Sequence, residues 1–296
     1  MVHHKVCPLC ISEKIYLHFR CTDHFLSKEV FQIDECAECG FEFTQDYPEE
    51  KEIGKYYESE DYISHTDSSK GFSDKLYRLA RKIMLRRKMG IIRKVTGLNT
   101  GTLLDIGSGT GHFAHTMKKA GWQVKGIEIS EKARSFSISH FGLEIGGSEY
   151  FSTLQQGSFD CITLWHVLEH FHDPFRNASD IIRLLKPGGV CAIALPNSSS
   201  YDAKHYGAFW AAYDVPRHLW HFSPSTFRLF SGKTGFRLDA VMNLPFDVFY
   251  ISVLSEKYKG SGLSFIKGMA KAKLFTFLSI FKKERSSSVI YILRKP

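Results

Sequence analysis

No stretch of this sequence is long and apolar enough to cross a bilayer. The longest uncharged apolar run near the C-terminus, Leu274 to Phe281, falls far short of the ~20 residues a spanning helix requires. A secretory signal is also missing from the visible pattern, because His3, His4 and Lys5 lead to Cys7 with no apolar segment between. The expected location is cytoplasmic. Cysteine is scarce, seven in 296 residues, and in a reducing compartment close cysteine pairs read as metal ligands, not disulfides. Acidic residues are outnumbered, 31 against 39 Lys and Arg, which leaves a formal net charge of +8. Apolar content is ample: 43% hydrophobic with 24% charged residues excludes a disordered polymer and leaves room for one ordinary domain plus an accessory unit.

Two C-x-x-C knuckles, Cys7-Pro8-Leu9-Cys10 and Cys36-Ala37-Glu38-Cys39-Gly40, flank a segment rich in strand formers. Four thiolates presented this way make the closed tetrahedral site of structural zinc, so residues 1–47 read as a zinc-ribbon-like domain with Cys7, Cys10, Cys36 and Cys39 as ligands. A competing set, Cys7, Cys10, Cys21 and His24, is also correctly spaced. Residues 48–97 read as a connector. Its aromatic part carries Tyr62 and His65, either surface packing or a lid over a site, and its second part is a helix crowded with Lys and Arg from Lys75 to Lys94. Ser73 or Asp74 is expected to cap that helix, with Leu76, Leu79, Ala80, Ile83 and Met84 on its buried side. The basic run is a solvated face or a site for nucleic acid or a phospholipid surface.

The centre of the chain is Thr102 to Gly111, TLLDIGSGTG. Leu103, Leu104 and Ile106 read as a buried parallel strand, and three glycines then lead into a segment with helical spacing. Gly107, Gly109 and Gly111 permit positive φ and close approach of a ligand to the backbone, and the following helix offers free N–H groups. The spacing is not the G-x-G-x-x-G of a pyrophosphate loop, and Asp105 at the strand end would repel a pyrophosphate while suiting a ligand with an ammonium group and hydroxyls. With the acid and all three glycines, this stretch resembles motif I of the class I S-adenosylmethionine-dependent methyltransferases. Glu128, 21 positions after Gly107, ends the next predicted strand, Trp122 to Ile129, where it can accept hydrogen bonds from both ribose hydroxyls.

The predicted strand Phe159 to Trp165 is followed by His166-Val167-Leu168-Glu169-His170, an H-x-x-E-H pattern of inverted zinc proteases. Here those residues leave a buried strand and enter a turn at His172-Asp173-Pro174, which does not suit a metalloprotease. Instead SFDCITLWHVLEHFHDP resembles methyltransferase motif IV. The helix started by Asp173 and Pro174, the Lys186-Pro187-Gly188-Gly189 break and the strand Val190 to Leu195 before Pro196-Asn197 extend the resemblance over residues 98–197. Beyond it, PRHLWHFSP and the helix after it resemble one bacterial branch of the group, and Arg217 and His218 sit in an aromatic loop expected at the carboxyl edge of the sheet. An insertion at 246–285 separates predicted strands six and seven. Within it Ser264 to Lys283 reads as a basic amphipathic helix, with Ile266, Met269, Ala270, Leu274, Phe277, Leu278 and Phe281 on one side, expected to dock on its own domain or to touch a membrane.

The resemblance implies a doubly wound, seven-stranded Rossmann-like α/β domain at residues 98–296 with a reversed last strand, preceded by the zinc unit. It implies S-adenosylmethionine as cofactor, held by Asp105, Gly107, Ser108, Gly109 and Gly111 at its methionine part and by Glu128 and Ile129 at the nucleoside, with Trp165 and His166 beside the reactive centre. His170, His218, Arg217, Tyr62 and His65 are the candidates for base or substrate contact. The expected acceptor is a small molecule or a lipid- or nucleotide-linked metabolite. RNA is the first rival, and a non-catalytic protein that binds S-adenosylmethionine is the second.

Overall fold

The structure, a computed structural model, describes residues 1–57 and 72–296, and side chains from residue 79 onward in the second segment. Tyr62 and His65 lie outside the described residues. The chain forms β1 (Ile15–Thr22), β2 (Val30–Cys36), β3 (Glu42–Gln45), α1 (Phe72–Thr96), β4 (Thr102–Ile106), α2 (His112–Lys119), β5 (Gln123–Ile127), α3 (Glu131–Phe141), β6 (Glu144–Gly146), α4 (Tyr150–Thr153) and β7 (Phe159–Trp165). It continues with α5 (Pro174–Leu184), β8 (Leu185–Pro196), α6 (Tyr201–Tyr206), β9 (Trp220–His221), α7 (Pro224–Lys233), β10 (Arg237–Leu244), α8 (Asp247–Tyr258), α9 (Ser264–Phe281) and β11 (Ser288–Arg294).

The larger sheet has seven strands in the order β10-β11-β8-β7-β4-β5-β6, all parallel except β11, which is antiparallel to both neighbours. Its central strands are buried on both faces. Leu103, Leu104, Ile162, Leu164 and Leu195 are all inaccessible, which is why each strand reads as a continuous apolar run instead of an alternation. The strand order reverses between β4 and β7, so the carboxyl ends of these strands open the crevice where doubly wound sheets take ligands. α5 starts where expected: the Asp173 carboxylate accepts the Arg176 N–H and Pro174 occupies the first turn.

The smaller sheet holds a different lesson. β1, β2 and β3 form an antiparallel unit, but its fourth strand is β9, contributed from beyond β8. Phe43 pairs with Trp220, and Trp220 stacks on Phe41 with ring centroids 6.2 Å apart. The N-terminal unit thus shares a sheet and an apolar core with the larger domain. A buried cluster seals the junction. Arg217, 1% exposed, donates to Asp23 at 2.9 Å, to Asp214 at 2.6 Å and to the Tyr56 carbonyl at 3.0 Å. Burial pushes the Asp23 carboxyl up, and the Arg217 bond with backbone N–H groups of Ser27 and Leu26 overrides it, holding it at about 2.

Three local expectations change. α1 begins at Phe72, so Ser73 and Asp74 lie inside it and cannot be its cap. Its buried side is displaced as well: Leu79 and Ile83 are 54% and 46% exposed, while Ile91 and Ile92 enter the core with Met84, Leu85, Met89 and Val95 packed beside them. Among the described side chains, those of the second half of this 25-residue helix lie against the sheet. α9 turns the opposite way from its apolar stripe. Its buried residues are Gly268, Ala272, Phe275 and Ser279, and Ile266, Leu274, Phe277 and Phe281 face out.

Removing the Arg217 side chain strands a buried carboxylate. Arg217→Ala is expected to lower the unfolding free energy by about 3–5 kcal/mol, seen as a lower urea midpoint. A variant as stable as the parent would show that the ion cluster does not join the two sheets.

Candidate active site

At the end of β4, Asp105 is 1% exposed and its Oδ1 accepts the Thr163 hydroxyl at 2.6 Å. Burial drives its pKa up to about 7, against the Thr163 bond and the nearby Lys88 ammonium, with the Glu128 charge adding to the rise. Such a carboxylate gains from any cation brought to it. The loop after it is left-handed at three glycines, with φ of +67°, +54° and +77° at Gly107, Gly109 and Gly111. A Cβ on Gly107 would lie 2.3 Å from Val167, and one on Gly111 would lie 2.7 Å from Leu143, so both need glycine for packing as well as conformation. Above Gly109 the space is open. Glu128 is buried beside it, its two oxygens accepting the N–H groups of Gly109 at 2.7 Å and Ser130 at 2.8 Å. Each oxygen keeps a lone pair for a further donor. Ile129, 74% exposed, stands next to it, and the buried Ser108 hydroxyl has no partner among the described residues.

The end of β7 forms the adjoining wall. Trp165 packs edge-on to Phe113 and carries the Lys88 ammonium 4.2 Å from its ring centroid. Lys88 was one of the basic run on α1, yet it points inward, and burial holds its pKa below the usual value. The signal was available in the sequence: Lys88 lies four positions from Met84 and from Ile92, on the stripe that packs inward. His166 adopts φ of +60° and bonds Asp247, the first residue of α8, at 3.0 Å. Burial disfavours its cation, but Asp247 and Glu169 reverse that and raise its pKa to about 9.

Three further groups meet there. Glu169, His170 and His218 place ligand atoms within 4.8 Å of one another. His218 Nδ1 lies 2.8 Å from the Ala212 carbonyl, and His170 Nδ1 lies 2.9 Å from the Arg217 carbonyl. A carbonyl only accepts, which assigns a proton to Nδ1 in each ring and leaves Nε2 as the nitrogen that carries a lone pair whenever the ring is neutral. Burial, then the His218 charge, hold the His170 pKa down at about 4. Neither oxygen of Glu169 has a hydrogen bond among the described residues, although His166 Nδ1 stands 3.4 Å from one of them. Glu169, Asp247 and Lys88 are the site groups that sequence reasoning passed over. Arg217, by contrast, is held in the buried cluster between the sheets and is not presented to this crevice as a free cation.

The four knuckle cysteines converge as a separate set. Cys10 Sγ lies 3.5 Å from Cys36 Sγ, Cys7 Sγ lies 3.7 Å from Cys39 Sγ, and all four sulfurs fall within 4.8 Å of one another. Tetrahedral zinc–sulfur bonds of about 2.3 Å give sulfur–sulfur edges of about 3.8 Å, so this donor set fits zinc. The competing set does not form. Cys21 donates to the Ala208 carbonyl at 3.2 Å and His24 stacks on Tyr258.

The order of the sheet, with its one reversed strand beside β8, and the acid-plus-glycine crevice define the class I methyltransferase fold. A family profile described as a methyltransferase domain matches residues 72–241, and the chain belongs to that family. Among curated relatives, the ubiquinone biosynthesis O-methyltransferase of Thiobacillus denitrificans is 32% identical over 124 residues, covering 39% of this chain and 53% of that protein. The chain thus spans about half the length of the relative it matches. Two solved structures share the fold: the Haemonchus contortus phosphoethanolamine N-methyltransferase 2 with S-adenosyl-L-methionine (TM-score 0.53, 18% identity, 86% of this chain and 62% of that one) and the [4+2]-cyclase SpnF (TM-score 0.50, 18% identity, 71% and 80%).

Metal analysis of protein purified without chelator is expected to find about one zinc per chain, and Cys36→Ser to lose most of it. A parent chain with less than half an equivalent would remove the metal reading.

Proposed function

We propose that the protein is an S-adenosylmethionine-dependent methyltransferase acting on a small-molecule acceptor, with a structural zinc held by Cys7, Cys10, Cys36 and Cys39. The observation that carries it is the buried, only partly compensated Asp105 carboxylate at the lip of a loop opened by Gly109. Asp105 receives the ammonium of the methionine part, with Ser108 as a further donor or acceptor, and the loop of Gly107, Gly109 and Gly111 admits it closely. Glu128 takes the ribose hydroxyls and Ile129 covers the base. When bound, the cofactor would supply an electrophilic methyl on a sulfonium, whose S–CH3 bond would break as the acceptor oxygen takes the methyl, with the neutral thioether as leaving group.

The chain's own contribution is position and proton removal. His218 Nε2 carries the lone pair that takes a proton from an acceptor hydroxyl, and Glu169 and Asp214, the latter 3.9 Å away, stabilise the imidazolium that results. Trp165 and His166 wall the reactive centre. The ubiquinone biosynthesis relatives favour a hydroxylated small molecule as acceptor. A second reading of the same groups is a divalent cation on Glu169, His170 and His218, favoured by a buried carboxylate with neither oxygen hydrogen-bonded. Zinc, manganese or iron(II) added to protein purified without chelator, its knuckle zinc left in place, separates the two: turnover that rises with added metal favours the cation.

Two measurements test the proposal. Calorimetry should show S-adenosylmethionine binding that weakens by up to about tenfold per pH unit below 7, since Asp105 must be ionised to meet the ammonium, and that Asp105→Asn largely abolishes. Absence of binding at pH 8 would end this reading. With labelled S-adenosylmethionine and fractionated extract, label should enter small molecules and not RNA, and His218→Ala should cut turnover by roughly 10²–10⁴-fold while leaving cofactor binding intact. Label in RNA would shift the acceptor class.

A further inference from the structure

We propose that the outward face of α9 seats on an anionic lipid surface, lying in the plane of the interface. The proposal rests on how this helix is turned. Its docking side is made of small or single residues: Gly268 faces α8 so closely that a Cβ there would lie 2.5 Å from the Val253 Cα, and Ala272, Phe275 and Ser279 continue the buried stripe. The opposite side therefore carries the large apolar groups into solvent. Ile266, Leu274, Phe277 and Phe281 are 64%, 49%, 56% and 73% exposed, with Ile280 at 64% on one flank. At 100° per residue, Ile266, Leu274, Phe277 and Phe281 fall on one stripe, about 180° from the buried one. Domains seldom leave a contiguous apolar face of this kind uncovered unless something covers it.

Charge selects the occupant. Between 264 and 283 the chain has Lys267, Lys271, Lys273, Lys282 and Lys283 and no Asp or Glu. A second copy meeting this face across a two-fold axis would bring lysines against lysines with no acid on the face to pair them. Anionic headgroups over a shallow apolar layer complement both features at once: the aromatic and aliphatic side chains enter the acyl boundary while lysine stems reach up to the phosphates. No described helix is long and apolar enough to cross a membrane, so the geometry is that of a helix lying on the surface. The hairpin is also tied to the crevice, because Asp247 at the start of α8 holds His166.

Vesicle flotation of the full chain, without cofactor, tests this directly. On vesicles of phosphatidylcholine with about one third phosphatidylglycerol, the protein is expected to float, with partitioning at least about tenfold weaker on pure phosphatidylcholine and in high salt. The double variant Phe277→Ser, Phe281→Ser should lose at least about tenfold of that binding, and Lys267→Glu with Lys273→Glu should do the same. Thermal melting and S-adenosylmethionine calorimetry of both variants should match the parent, which keeps loss of docking apart from loss of fold or of the cofactor site. A parent that binds neither vesicle type overturns the proposal. So does a concentration-dependent dimer in ultracentrifugation that the phenylalanine variant abolishes, which would give the face to a second copy.

Discussion

A carboxylate placed at the end of a strand that is apolar on both faces is the constraint on which the rest of this structure depends. Asp105 is surrounded by inaccessible side chains, receives one hydroxyl bond from Thr163, and has a second acid, Glu128, close enough to raise its pKa further. Removing charge from water in this way is costly unless a positive group arrives. Lys88 is the nearest answer from the chain itself, but its ammonium rests over the Trp165 ring and its own pKa is lowered by burial. The crevice is therefore a partly compensated electrostatic site. The open space over Gly109 is where a cation can enter.

The histidine side of the crevice depends on a second burial, that of Arg217. The loop carrying it is clamped to Asp23 of the N-terminal unit and to Asp214 of its own turn, while three residues further along the same backbone forms β9 with β3. His218 lies between these two fixings, and Thr44 of β3 donates its hydroxyl to the His218 carbonyl at 2.7 Å. The same backbone segment supplies the Arg217 carbonyl that orients His170. The cysteine-bearing unit thus acts on the site through main-chain geometry. A metal that fixed the two knuckles would also fix the sheet on which the His218 loop is completed, and so would act on histidines far from it in sequence.

Much of the larger sheet was legible because parallel strands buried on both faces leave an unmistakable apolar run. β7 has the boundaries its sequence suggests. The Cys set was legible from spacing alone. What escaped were features fixed by contacts across long sequence separations. β9 is only two residues long and pairs with a strand about 175 positions earlier, leaving no periodic trace. Arg217 was chosen for the site from its loop and its chemistry, and those same properties serve a buried ion cluster. Lys88 was counted with a solvated row, although its spacing from Met84 and Ile92 puts it on the inward stripe.

α9 shows why periodicity identifies a helix but not its orientation. The apolar stripe was read correctly, and a globular domain would ordinarily turn it inward. Here close approach to α8 decided the matter instead: a helix can come within contact of another's backbone only over glycine and alanine, so Gly268 and Ala272 take the interface and Phe275 and Ser279 follow on the same face. Burying the stripe of Ile266, Leu274, Phe277 and Phe281 would require rotating the helix by about half a turn, which would set those bulky side chains against Val253 where only a hydrogen now fits. The hairpin packs tightly by keeping its larger apolar groups outside.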